Sequence, residues 1–336
     1  MIRSVCTLVV LVMACGAPEP PQVAFLLSTL HDERHQKDLK FFEEHARELG
    51  VATLAASADG DVTRQLAQVD DALARGAKVL VIEPTDAATA APFVRLAHER
   101  NARVVAFDRA IVSGELDYYV SHDSYRVGVL QAQAALEATH HRGNFVLLSG
   151  PADHPAASEI TRGYRDTLAP YIARGDVAIV LEQHHAASSA DAAQRTVEEA
   201  LAKSDGKLDA ILASTSGMAR GAVEAVATAG VPHVFIAGAD ADATNVNYVC
   251  QGKQTIEVLK DIEPLARTAV DVAKQLLDGS SPRAPATIAL AGKPVPVAAV
   301  RVEIVTPDNV KPLLVDSGFL AASEIPACAK KLAQAR

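Results

Sequence analysis

Residues 78–109 read KVLVIEPTDAATAAPFVRLAHERNARVVAFDR, and this stretch decides the fold. Two short apolar runs, Lys78–Ile82 and Arg103–Phe107, flank the predicted helix Asp86–Arg100. Apolar runs without alternation are typical of parallel strands that are covered on both faces. The order strand, helix, strand therefore predicts part of a doubly wound parallel sheet with right-handed crossovers.

The same order of elements continues on both sides of this stretch. Before it, the predicted strands Val23–Ser28 and Val51–Ala55 alternate with amphipathic helices. After the strand Tyr118–Ser121 the alternation restarts at Asn144–Leu148 and continues to Val234–Ala237. The restart predicts a second lobe of the same α/β architecture.

Composition bounds the class of protein. The chain has 336 residues, of which 49% are hydrophobic and 22% charged, enough for two globular domains with cores of their own. The net charge of −9 argues against nucleic acid or an anionic membrane as a main partner, because both require a basic surface. Aromatic residues make up only 4%, so few rings are available to stack on a ligand.

Residues 1–22 have the pattern of a lipoprotein signal peptide followed by a tether. Arg3 precedes a short apolar run, Val5–Ala14, as in a secretory signal. The tetrapeptide Val12-Met13-Ala14-Cys15 resembles the bacterial lipobox, in which the cysteine carries lipid. We expect a protein of the periplasm or cell envelope whose only membrane attachment is the lipid on Cys15. The alternative is an ordinary signal peptide with a chance cysteine.

Two cysteines remain after that processing, Cys250 and Cys328. In an oxidising compartment they can form a disulfide, and two free thiols are the alternative.

Charged residues follow several predicted strands directly. Asp108-Arg109 comes after Phe107, His154 follows the strand that ends at Leu148, and Asp240 follows Ala237. Ligands of open α/β sheets bind beyond the carboxyl ends of the strands, so two facing lobes would bring these groups into one cleft. Carboxylates and guanidinium groups make directional hydrogen bonds to hydroxyls, which predicts a polyol ligand.

Other chemistries are less well supported by the sequence. The pairs His140-His141 and His184-His185 suggest a metal site, but adjacent histidines point in different directions. Asp108 and Asp240 could be imagined as catalytic carboxylates, but each has a neighbouring cation and a simpler role as a hydroxyl acceptor. We therefore expect no metal, no cofactor and no enzymatic activity.

Six segments resemble the type I periplasmic substrate-binding proteins of ABC sugar importers, most closely the branch that binds D-xylose. They are Glu33–Asp38, Val79–Pro84, Ala106–Arg109, Val127–Ala132, Gly238–Asp242 and Val258–Lys260. The resemblance implies two doubly wound parallel-sheet lobes joined by a multi-segment hinge. It implies a first lobe of residues 23–122 with 252–303, and a second of residues 123–251 with 304–336.

The resemblance also implies a set of ligand contacts. Family members have aromatic rings at two positions that are histidine here, an asparagine at a third, and an amide in the loop that contains His154. These departures leave the ligand open between xylose, a related pentose or hexose, and another polar small molecule. The expected contacts are Arg34, His35, Asp108, Arg109, His154, His184, Thr215, Asp240 and Lys260.

The implied function is capture of a monosaccharide by cleft closure, as the extracytoplasmic solute-binding component of an ABC transporter. Its partners would be the sugar and the permease in the inner membrane, and we expect a monomer. The alternative is a sensor subunit that passes a ligand signal to a membrane receptor.

We predict that Cys15→Ser releases the protein from the membrane fraction, because the substitution removes the only thiol at the lipobox position. Fractionation of cells expressing each form, followed by immunoblotting, measures this. A serine variant that still sediments with membranes after a high-salt wash would contradict the lipid anchor.

Overall fold

The computed structural model describes residues 20–31, 33–113 and 115–334, and only the backbone of Glu33 and Gln334. The expected signal peptide, with Cys6 and Cys15, lies outside this range. Within it, no helix combines the length and the apolar character that crossing a bilayer requires.

The first sheet has seven strands in the order β11-β12-β5-β4-β3-β1-β2. All neighbours are parallel except the antiparallel pair β11 and β12. Every residue of β3 is at most 1% exposed, as expected for a strand covered on both faces. The strands are β1 (Val23–Leu27), β2 (Thr53–Ser57), β3 (Val79–Ile82), β4 (Arg103–Phe107), β5 (Tyr118–His122), β11 (Ala286–Leu290) and β12 (Lys293–Val300).

The second sheet has six strands in the order β13-β10-β9-β8-β6-β7. Only β13 is antiparallel to its neighbour. The two sheets confirm the predicted α/β fold with two doubly wound lobes. The strands are β6 (Gly143–Ser149), β7 (Val177–His184), β8 (Ala210–Ala213), β9 (Phe235–Ala239), β10 (Ile256–Leu259) and β13 (Glu303–Val305).

Helices cover both faces of each sheet, and buried side chains form one cluster on each face. In the first lobe α1 and α9 pack on one face and α2 and α3 on the other. In the second lobe α4 and α5 pack opposite α6 and α7. The helices are α1 (Glu33–Glu48), α2 (Val62–Ala74), α3 (Ala91–Glu99), α4 (Ser124–Ala138), α5 (Pro155–Ala173), α6 (Ala190–Lys203), α7 (Ser216–Ala229), α8 (Ala243–Gln251), α9 (Ile262–Leu277) and α10 (Ala329–Gln334).

The chain crosses between the lobes three times: from β5 to α4, from β10 to α9 and from β12 to β13. The expected boundaries were wrong for β10, which was assigned to the first lobe with residues 252–303. Its backbone pairs with β9 in the second sheet, so the crossing falls after Leu259. Further along, the apolar pattern of Val300–Val305 predicts a single strand. The structure divides it, because its two ends belong to different sheets.

The C-terminal segment packs on the second lobe. A disulfide joins Cys250 at the end of α8 to Cys328, so the question left open by the sequence is answered in favour of the bond. Buried Leu314, Leu320 and Ile325 anchor the same segment against α8 and β10. The segment also reaches the first lobe, where Lys37 Nζ on α1 donates to the Phe319 carbonyl at 3.0 Å.

Replacing Cys250 and Cys328 together by serine should lower the free energy of unfolding by about 2–4 kcal/mol. The reason is that the disulfide closes a long loop, with a sequence separation of 78, and so restricts the unfolded chain. Urea unfolding with and without dithiothreitol measures the effect, and the double variant should not respond to the reductant. A wild-type curve that ignores dithiothreitol would contradict the prediction.

Candidate ligand-binding site

An ion pair at the carboxyl edge of the first sheet forms the centre of the site. Asp108 follows β4 directly, and Arg34 lies in the first turn of α1. Arg34 Nη2 lies 2.8 Å from Asp108 Oδ1, and their side chains are 37% and 23% exposed. The two predicted residues therefore meet at the end of the strand, where an open α/β sheet places its ligand.

The charges around Asp108 keep it ionised. Burial alone would raise the pKa of Asp108, but Arg34, His122 and Lys260 outweigh burial and lower that pKa well below its usual range. In turn the carboxylate of Asp108 raises the pKa of Arg34 against the opposing effect of burial. A permanently charged donor and a permanently charged acceptor thus lie side by side.

The second lobe contributes a matching pair. Lys260 Nζ lies 2.9 Å from Asp240 Oδ1, just beyond the ends of β10 and β9. Asp240 also raises the pKa of Arg34, and Lys260 lowers that of Asp108, so the two pairs lie within electrostatic reach of each other across the lobes. A cavity of about 430 Å³ adjoins them and is lined in part by Arg34, Lys37, Arg220, Asp240, Lys260 and Phe319.

Glu83 is a site residue that the sequence reasoning missed. It follows β3 directly and is 1% exposed. Its Oε2 accepts a hydrogen bond from Ser28 Oγ at 2.9 Å, and its Oε1 lies 3.0 Å from His35 Nε2 and 3.6 Å from Arg109 Nε. The rule that pointed to Asp108, a polar residue directly after an apolar strand, applies equally to Glu83.

His35 is buried against this carboxylate and is only 7% exposed. Burial alone would lower the pKa of His35, but the hydrogen bond and charge of Glu83 outweigh it and raise that pKa. A ring fixed in this way holds the carboxylate of Glu83, which in turn lies 3.6 Å from Arg109.

His154 from the second lobe lies within electrostatic reach of charges in the first. It is the N-cap residue of α5. Burial lowers the pKa of His154, and the charges of Asp108 and Arg109 also act on it. At neutral pH the ring is therefore an uncharged hydrogen-bonding group within electrostatic reach of two ions of opposite sign.

His184 and Thr215 have partners within their own lobe. His184 Nδ1 lies 2.9 Å from the Gly150 carbonyl oxygen. Thr215 caps α7 by accepting from the Met218 amide at 3.3 Å, and its hydroxyl also lies 2.5 Å from Ser188 Oγ. In the part of the chain that the structure describes, neither residue makes a hydrogen bond or ion pair with the Arg34–Asp108 pair or the Lys260–Asp240 pair. Of the other seven predicted residues, six form the two ion pairs and the Glu83 contacts described above, and His154 lies within electrostatic reach of them.

Residues 23–281 match the family model for the periplasmic binding protein domain. The chain belongs to the periplasmic binding protein family. The D-xylose-binding periplasmic protein of Escherichia coli (strain K12) is 31% identical to this binding protein over 326 residues, 97% of this chain and 98% of that one. The multiple sugar-binding periplasmic receptor ChvE of Rhizobium radiobacter is 28% identical over 82% of this chain and 84% of its own length.

Solved structures show the same architecture. A carbohydrate transporter solute binding protein from Chloroflexus aurantiacus, in complex with D-glucose, superposes on this binding protein with a TM-score of 0.77 and 28% identity. The match covers 90% of this chain and 98% of that chain, so both lobes are shared.

Asp38 lies behind the ion pair and makes the stability of the binding protein depend on pH. It is 1% exposed, and its Oδ2 lies 3.9 Å from Arg34 Nε. Burial raises the pKa of Asp38 to about 7, although Arg34 opposes the shift. Because this pKa is above that of the unfolded chain, the folded state binds more protons, and stability falls as the pH rises.

Asp38→Asn should remove this part of the pH dependence. Between about pH 4 and pH 7 the wild-type free energy of unfolding should fall relative to the variant, by up to about 1.4 kcal/mol per pH unit. Urea unfolding of both proteins across that range measures the difference. Asp59→Asn is the control, because the pKa of Asp59 is lowered, first by the Ser57 hydroxyl, and its contribution has the opposite sign. Parallel pH profiles for wild type and Asp38→Asn would contradict the prediction.

Proposed function

We propose that the protein captures one neutral monosaccharide between its lobes. The observation that carries the proposal is the pairing of charges at the strand ends. Arg34 is paired with Asp108, and Lys260 with Asp240, at 2.8 and 2.9 Å. The pairs present strong donors and strong acceptors together with little net charge. A sugar hydroxyl both donates and accepts, so it can bond to both members of such a pair.

The proposed contacts come from both lobes. Asp108, Arg109 and Arg34 would bind hydroxyls from the first lobe, and Asp240, Lys260 and His154 from the second. We assign His35 to holding Glu83 and Arg109 in place. Thr215 and His184 each already have a hydrogen-bond partner within the protein, so a contact with the sugar would be an additional hydrogen bond for each.

The sugar would be xylose or a related pentose or hexose. The relatives support this range, because their names specify D-xylose and multiple sugars, and one solved structure contains D-glucose. Two histidines replace aromatic rings of the family, His35 in the first lobe and His184 in the second. They reduce stacking on the C–H face of a sugar ring, by about 0.5–1.5 kcal/mol for each ring. Selectivity would then depend on hydroxyl positions more than on an apolar face.

Binding would favour a closed arrangement of the lobes. A ligand shifts such an equilibrium only through contacts that differ between the open and closed states. A sugar bonded to Asp108 and Asp240 at once supplies such contacts, and the three crossing segments supply the hinge. The closed form would be presented to an ABC permease by a protein exported and anchored through Cys15.

Asp240→Asn should weaken sugar binding by roughly 10-fold to 100-fold. The substitution keeps the size of the side chain but removes its charge, which is worth about 1.5–3 kcal/mol in a hydrogen bond. Thermal stabilisation of the wild type across a panel of pentoses and hexoses identifies the sugar, and calorimetry then gives both affinities.

Asp308→Asn is the matched control. Asp308 also pairs with a lysine, Lys331, at 2.7 Å, but its side chain is 82% exposed and does not line the cavity beside Asp240 and Lys260. Its substitution should leave affinity unchanged. An Asp240→Asn protein with wild-type affinity would contradict the placement of the site, and a panel without any stabilising sugar would remove the proposed ligand class.

A further inference from the structure

The backbone of Asp108 has an unusual conformation. Its φ angle is +55°, in the left-handed region that residues other than glycine adopt infrequently. Such a conformation persists only where surrounding groups enforce it. The carboxylate reaches Arg34 from this backbone, so whatever enforces the conformation also sets the position of the charge.

Strand β5, next to β4 in the sheet, makes the enforcing contacts. The Asp108 amide donates to the Val120 carbonyl at 2.9 Å. The Tyr119 hydroxyl donates to the Asp108 carbonyl at 2.7 Å, and Ser121 Oγ donates to the same oxygen at 3.4 Å. Tyr119 is 3% exposed, so its hydroxyl bonds this carbonyl without competition from bulk water.

We propose that Tyr119 is a positioning residue that fixes Asp108 for the ligand. Its hydroxyl anchors the carbonyl of the strained peptide, and the carboxylate is thereby directed at Arg34. Its effect on ligand affinity rests on the function proposed above, whereas its effect on the conformation of Asp108 does not.

The second lobe is built in the same way. Asp240 has a φ angle of +110°, and its amide donates to the Val258 carbonyl of the neighbouring strand β10 at 3.0 Å. The next residue, Ala241, is also left-handed, and its amide donates to Glu257 on β10 at 3.0 Å. Glu257 is 0% exposed. Each of the two aspartates thus has a buried polar side chain behind it on the adjacent strand, which argues that these contacts serve the site.

Tyr118 is the control residue that distinguishes a positioning role from ordinary packing. It precedes Tyr119 in β5, is 2% exposed, and its hydroxyl donates to the Arg283 carbonyl at 2.6 Å. Its ring packs on the face of the sheet that α1 and α9 cover, whereas the Tyr119 ring packs on the opposite face. Phenylalanine at either position therefore removes one buried hydroxyl bonded to one carbonyl, and only one of those carbonyls belongs to a site residue.

The experiment compares Tyr119→Phe with Tyr118→Phe in the full chain. Crystal structures without added sugar should show Asp108 outside the left-handed region, with a broken Arg34–Asp108 pair, only in Tyr119→Phe. With a sugar that stabilises the wild type, affinity by calorimetry should fall roughly 5-fold to 10-fold in Tyr119→Phe and less than 2-fold in Tyr118→Phe, as expected for one hydrogen bond. Both variants should lose similar thermal stability.

Asp108 that keeps its φ angle and its pair in Tyr119→Phe would overturn the proposal, whatever the ligand. Equal losses of affinity in the two variants would overturn it as well. If no sugar binds the wild type but Asp108 moves in Tyr119→Phe, the positioning role stands and the proposed function fails.

Discussion

The rest of the site is arranged around the contact between Arg34 and Asp108. One partner comes from the start of α1 and the other from the end of β4, so their meeting fixes how the first helix approaches the sheet. Other polar groups lie close to each of the two charges. Asp38 lies behind the guanidinium, and His122, 2% exposed, lies 3.8 Å from the carboxylate. A change in any of these groups alters the potential that a ligand would experience.

Pairs of this kind are weak evidence for stability. Removing two charges from water costs free energy that their attraction repays only with good geometry and further hydrogen bonds. The four clusters of apolar side chains on the two sheets provide the stability of the lobes. The charged groups at the strand ends instead determine which hydroxyl can bind at which point, and the strained backbone of Asp108 and Asp240 is consistent with selection for position over stability.

Much of the fold could be predicted because apolar runs and helical spacing are local signals. Strands β1 to β6 and strand β9 lie within a few residues of their expected bounds. Strand β10 was different, since a short apolar run does not specify which of two sheets it joins. The hairpin of β11 and β12 could not be predicted, because the segment has no clear hydrophobic periodicity. Its edge strand β11 is mostly exposed, so its sequence need not alternate between apolar and polar residues.

The same limit applies to the site. The rule that polar groups follow strands located Asp108 and Asp240, and the resemblance supplied Arg34 and Lys260. The bonds from His35 to Glu83 and from Thr215 to Ser188 could not be read from sequence, because they depend on how separate elements pack. The sequence identifies Tyr119 only as part of a strand, because its proposed role depends on which carbonyl its hydroxyl reaches in the folded chain.

Three separate stretches of chain run between the lobes, and this has a consequence for how the molecule can be damaged. A protease that cuts one of them divides the chain into two pieces, but at least one piece still contributes strands to both lobes. The C-terminal remnant beyond a cut between β12 and β13 would in addition stay attached through Cys328. A molecule nicked between β12 and β13 would therefore migrate as an intact one until it was denatured and reduced, and the integrity of a preparation has to be judged under those conditions.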